Sequence, residues 1–201
     1  MNQGIYSNEK SAPVDRASAG PFDIAEVREP KPYVDFGSLH VPSRDGIQVR
    51  LEVEEATKRI VAVTIDYRES SIQLQAFAAP RDEGLWHEVR AQLSQALVAQ
   101  GSEVHEGIGT LGHEVTAKTP ITDDAGVLVG NKLARFVGVD GPRWFLRGII
   151  SGAALTDPLA AGEIEDIFRG TVVLRGETPL PPRDLLPLQI PNGAVLPPGA
   201  I

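Results

Sequence analysis

Three successive runs between Ile47 and Ala78 alternate apolar and polar residues with a period of two. In the first, Ile47, Val49, Leu51 and Val53 alternate with Gln48, Arg50, Glu52 and Glu54. Val61, Val63, Ile65 and Tyr67 repeat the pattern, and Ile72, Leu74, Ala76 and Ala78 continue it beside Ser71, Gln73 and Gln75. A strand sends successive side chains to opposite faces, so each run has one face for a core and one for water. Short polar connections join the runs, which predicts an antiparallel meander.

Further along, the period changes. After Asp82, the residues Leu85, Trp86, Val89, Leu93, Ala96 and Leu97 share one side of a helix that Gly101 closes. A second helix is predicted to start with Asp157 as its cap and Pro158 at its first position, with Leu159, Ile164, Ile167 and Phe168 as its apolar stripe. Between the helices, strands are expected at about 103–107, 110–118, 133–139 and 143–151. Val139-Asp140-Gly141-Pro142 is read as a tight turn, because Asp-Gly tolerates positive φ angles. The expected fold class is therefore α+β: an antiparallel sheet of about six or seven strands with two principal packed helices.

Proline marks the boundaries. Pro13, Pro21, Pro30 and Pro32 precede Val34, and seven of the sixteen prolines follow Gly176. This divides the chain into a flexible N-terminal segment (1–34), a single domain (35–176) and a Pro-rich C-terminal tail (177–201). Leu185-Leu186-Pro187-Leu188-Gln189-Ile190 is too apolar for a free linker, so part of the tail is expected to dock. The chain has 201 residues, 42% of them hydrophobic, a length suited to one core. A net charge of −8 argues against general nucleic-acid binding, whose footprint is basic. Met1–Lys10 is polar, no run approaches the length of a membrane span, and cysteine is absent, so a cytoplasmic setting is expected.

Motifs that resemble chemical signatures lose their meaning in context. Gly107-Ile108-Gly109-Thr110-Leu111-Gly112 matches a dinucleotide-binding pattern, but that pattern needs a helix after it. Here Val115-Thr116-Ala117-Lys118-Thr119-Pro120 follows, which reads as a strand, so the glycines are read as a hairpin turn. With Ile108-Gly109 as a two-residue turn, His105 and His113 fall on opposite faces, which disfavours a metal site. Asp123-Asp124-Ala125-Gly126 is a turn, and Glu163, Glu165 and Asp166 are a solvated helix face. No residue is assigned a catalytic role, and no cofactor or metal is expected.

The most distinctive segment is Val139–Gly148, with Trp144 pointing to the core and Arg143, Phe145 and Arg147 to the other face. Two arginines four apart on a strand sit roughly 13 Å from one another. With Phe145 between them they form a candidate binding surface for an anion with a flat or apolar body, or for an acidic peptide segment, and Arg81 is a further candidate. The bland alternative pairs the arginines with carboxylates on neighbouring strands, such as Glu52 or Asp66.

Phe77-Ala78-Ala79-Pro80-Arg81, Gly84-Leu85-Trp86-x-Glu88-Val89-Arg90 and Val139–Gly148 together resemble an actinobacterial family known only as a domain of unknown function. The resemblance runs from Gly20-Pro21-Phe22-Asp23 to the Pro-Pro-Arg-Asp-Leu-Leu-Pro-Leu tail. It implies an actinobacterial cytosolic setting and carries over no activity. The order of strands and helices is also similar to the Mog1/PsbP-like fold, which is often used for binding or assembly. The leading expectation is a non-enzymatic binding or adaptor module with a protein or anionic small-molecule partner and no membrane. The alternatives are an enzyme or sensor acting on an anionic small molecule through Arg81, Arg143 and Arg147, and a nucleic-acid-associated protein.

Overall fold

A computed structural model describes residues 8–29 and 31–192. In chain order the elements are α1 (Arg16–Ala19), β1 (Phe22–Asp23), β2 (Tyr33–Asp35), β3 (Leu39–Pro42), β4 (Ile47–Glu54), β5 (Arg59–Tyr67) and β6 (Ser70–Ala78). Then follow α2 (Trp86–Ala99), β7 (Glu103–Gly109), β8 (Gly112–Thr122), β9 (Leu128–Asp140), β10 (Trp144–Gly152), α3 (Pro158–Gly170) and β11 (Val172–Val173). The fold is α+β. Seven antiparallel strands form one sheet in the order β4-β5-β6-β10-β9-β8-β7, and a small four-stranded sheet runs β1-β11-β3-β2.

The alternation sorts the large sheet as predicted. On its inner face Val63, Ile65, Ile72, Leu74, Ala76, Ala78, Val137, Val139, Trp144, Leu146 and Ile150 are buried. They pack with Ile164, Ile167 and Phe168 of α3 and with Leu39, Val41 and Val173 of the small sheet. Each such large side chain taken from water contributes about 1.5–3 kcal/mol. Asp157 caps α3, its side chain accepting the Leu159 N–H at 2.9 Å, with Pro158 at the first helical position. Leu159, expected in the apolar stripe, is 81% exposed because it lies in the first turn, outside the packed side.

Helix α2 covers one end of the outer face. Here α2 packs on β7, β8 and β9, and Trp86, Leu85 and Phe145 form a second buried cluster with the partly buried Phe77, Val89, Leu93 and Phe136. Leu93 and Leu97 are half-buried and Ala96 is exposed, so the predicted helix phase holds but the helix lies shallow. Its N-terminus is capped from outside the helix. The carboxylate of Asp140, at the end of β9, accepts the Leu85 N–H at 2.8 Å and the Trp86 N–H at 3.3 Å.

The Gly107–Gly112 segment is a hairpin tip, with its turn at Thr110-Leu111 rather than Ile108-Gly109. Gly109 pairs with Gly112, Ile108 with His113 and His105 with Thr116, so the two histidines do lie on opposite faces. The shifted turn buries Leu111 in the main core. The β9–β10 turn also differs in cause from the expectation. Gly141 has no positive φ; a Cβ there would lie 2.2 Å from the Trp144 ring, so the position needs glycine for space.

Both flanks touch the domain. Residues 8–29, expected to be flexible, are held by backbone and polar bonds instead of apolar bulk. The Ser11 N–H donates to Asp140 at 2.9 Å and its carbonyl accepts the Asp140 N–H at 2.8 Å. β1 pairs in parallel with β11, and the Trp144 indole N–H donates to Asp23 at 2.9 Å. Residues 1–7 of that expectation lie outside the described residues. At the other end, β5 pairs with β6 only as far as Leu74, and the tail takes over beyond it. The Leu186 N–H donates to Ala76, the Ala78 N–H to Asp184 and the Arg183 N–H to Ala78, each within 2.8–2.9 Å. Leu186 enters the main core. Residues 193–201 of the tail lie outside the described residues.

Candidate functional site

The turn at Val139–Pro142 draws the distinctive motifs into one corner. Asp140 accepts N–H bonds from Leu85, Trp86 and Ser11. Lys10 Nζ donates to the carbonyls of Gly141 and Pro142, each at 2.7 Å, and the Ala79 N–H donates to the Arg143 carbonyl at 3.0 Å. Burial raises the Asp140 carboxyl above its ordinary range, and the three N–H donors offset that only in part. The sequence shows Asp140 only as a turn residue, because these partners lie 54 to 129 residues away.

Phe145 is part of this corner and is not an exposed platform. It is 2% exposed, stacked between Phe77 at 5.8 Å and Trp86 at 5.7 Å. The alternation placed it correctly on the outer face, but α2 covers the outer face at that point. Arg81 and Arg143 are exposed. Arg143 stands close to Arg175, whose pKa is lowered first by burial and then by the Arg143 charge. Arg147 lies farther along β10, between these elements and the open part of the sheet. Arg143 and Arg147 differ in setting, the first exposed and the second half-buried on β10.

Arg147 is the unusual one. Its guanidinium donates to the Gln75 side-chain amide and stands 5.4 Å from the Phe77 ring centre, and its Nε is buried without a partner. Burial lowers its pKa, and among the described residues no carboxylate opposes the shift. The carboxylates once considered as partners are engaged elsewhere. Asp66 takes Arg50 at 2.6 and 2.9 Å and the Ser71 hydroxyl at 2.5 Å, while Glu52 accepts the Thr64 hydroxyl at 3.0 Å. A mostly desolvated cation beside a neutral amide keeps an unmet demand for negative charge.

Two clefts flank the β7–β8 hairpin. One, of about 730 Å³, lies between the end of the sheet and the start of α3, against His105, Glu114, Arg135 and Asp157. The other, of about 650 Å³, lies beside residues 10–15, against His87, His113 and Arg169. The His87 and His113 rings meet edge to face at 5.4 Å, and burial, Arg90 and His87 lower the His113 pKa. Neither cleft is lined by Arg81, Arg143 or Arg147. Among the described residues, no group of three or more His, Asp or Glu side chains is placed to hold a metal, and no helix is long and apolar enough to cross a membrane.

No curated protein and no solved structure matches the chain, so the likeness to Mog1/PsbP-like domains remains an expectation. A family model described as a protein of unknown function, DUF3710, matches residues 20–195, from the glycine that begins Gly20-Pro21-Phe22-Asp23 to beyond the docked tail. The chain belongs to the DUF3710 family.

Proposed function

We propose that this protein is a non-enzymatic binding module that holds an anionic group of its partner at Arg147, on the open outer face of the sheet. The observation that supports this reading is the largely buried guanidinium with a neutral amide and an aromatic ring for company and, among the described residues, no carboxylate. An incoming carboxylate or phosphate would supply the missing charge and accept charge-assisted bonds. The surrounding Gln73, Gln75 and Ser71 are polar and half-buried, which suits a partner laid across the strands. Arg143, at the exposed corner, adds long-range attraction. The absence of cysteine and the acidic charge fit a cytoplasmic setting away from nucleic acid.

The test compares wild type with Arg147→Gln and with the double variant Arg143→Glu plus Arg147→Glu, by affinity capture from the native host and by melting temperature. Arg147→Gln removes the charge and leaves a side chain able to bond Gln75. Both variants should melt close to wild type and lose the captured partner. If they fold normally and capture everything that wild type does, the outer face is not the site.

A further inference from the structure

The cleft between the sheet and α3 carries a separate inference. Its 730 Å³ is within the range of small-molecule sites. We propose that it binds a small organic cation: an ammonium group on a short apolar body.

The charge arrangement sets the sign of the ligand. Arg135 sends both Nε and Nη2 to one oxygen of Glu114, Oε2, at 2.9 and 2.7 Å, and Nη1 to Glu165 at 2.6 Å. The Thr110 hydroxyl donates to the other oxygen of Glu165 at 2.6 Å. One guanidinium therefore serves two carboxylates, and all three side chains are nearly enclosed, at 10%, 17% and 13% exposure. Among the described residues Oε1 of Glu114 has no partner, and Glu114 forms part of the cleft wall. At the rim Lys118 is taken by Glu103 at 3.3 Å. On the facing side one oxygen of Asp157 caps α3. The fixed charges thus leave an excess of carboxylate over cation.

The same features exclude the other ligand classes. An anion would meet Glu114 and Asp157, and the start of α3 offers it little, since Asp157 already occupies that end and Pro158 has no N–H. A neutral apolar molecule would cover Glu114 and strip water from Oε1 without a donor to replace it. An ammonium donates to Oε1 in a charge-assisted bond while its apolar body rests on Leu133, Leu155 and Ala161.

Butylamine and benzylamine are the probes, with butyrate and 1-butanol as controls of matching size and different charge. Binding is followed by amide chemical shifts across a millimolar titration of the full chain. The amines should shift Thr116 and Ala161 saturably, and butyrate and butanol should not. Glu114→Gln should weaken the amines by about tenfold or more, the worth of one charge-assisted bond. Ala161→Trp, which fills the cleft from the α3 side, should abolish binding even if Glu114→Gln does not fold. Equal binding of butyrate, amine binding that survives Ala161→Trp, or no saturable shift with either amine overturns the proposal.

Discussion

Replacing Asp140 with alanine removes the acceptor of three backbone N–H groups at once, and its cost can be worked from them. Loss of a side-chain cap costs about 0.5–2 kcal/mol, and α2 loses its acceptor for Leu85 and Trp86. The Ser11 N–H is left in a buried place with no partner, which costs about 1–3 kcal/mol more. Asp140→Ala should therefore destabilise by about 1.5–5 kcal/mol, a large share of the stability of an ordinary domain. Asp140→Asn keeps one oxygen and the shape, and should cost about 1–2 kcal/mol. Urea unfolding followed by tryptophan fluorescence measures both, since Trp86 and Trp144 report on the two faces of the sheet. The Asn variant also tests the electrostatics. Burial raises the Asp140 pKa in the folded chain, so the folded form takes up this proton at a higher pH than the unfolded form. Acidification through that window stabilises wild type relative to Asp140→Asn, and the gap between them should widen until it levels off below the ordinary carboxylate range. A cost below about 1 kcal/mol for Asp140→Ala, or a gap that narrows on acidification, would refute this reasoning.

Three further perturbations separate strong contacts from weak ones. Arg135→Ala leaves two enclosed carboxylates unpaired and should cost about 3–5 kcal/mol by urea titration. Arg50→Ala breaks a pair whose arginine is 59% exposed, and should change stability by less than about 1 kcal/mol in the same assay. Leu186→Ala, at a side chain 1% exposed, should cost about 2–5 kcal/mol although it lies in a proline-rich tail. A linker role for the tail predicts no cost at all.

Local patterns in this chain were legible, and contacts between distant segments were not. Period-two alternation at 47–78 needs only neighbouring residues, and β4, β5 and β6 follow it. Asp157-Pro158 starts α3 by chemistry contained in two residues. Phe145 shows the limit: its face was readable, but its burial depends on α2 arriving from 59 positions earlier in the chain. Asp140 looked like a turn residue because turns favour aspartate, and a second role as a remote helix cap leaves no local signature. The N-terminal segment misled by composition. Low apolar content predicts freedom only where backbone groups find no partners, and Ser11 and Phe22 find them on β9 and next to β11. Of the candidate site, the identity of Arg147 could be read, but its lack of a counter-charge required knowing where Asp66 and Glu52 turn.

The handover on β6, from β5 to the tail, makes the last-synthesised part of the domain a component of its central sheet. Until residues 183–186 arrive, the backbone of Ala76 and Ala78 has an open edge, and the space that Leu186 fills stands empty. A nascent chain therefore cannot complete its core while translation is still short of the tail, and an exposed edge of this kind invites pairing with other strands. The same geometry makes the domain divisible. A chain ending near Gly176 and a separate peptide carrying 177–192 would hold complementary parts of one core, and mixing them should restore the native fluorescence of Trp144.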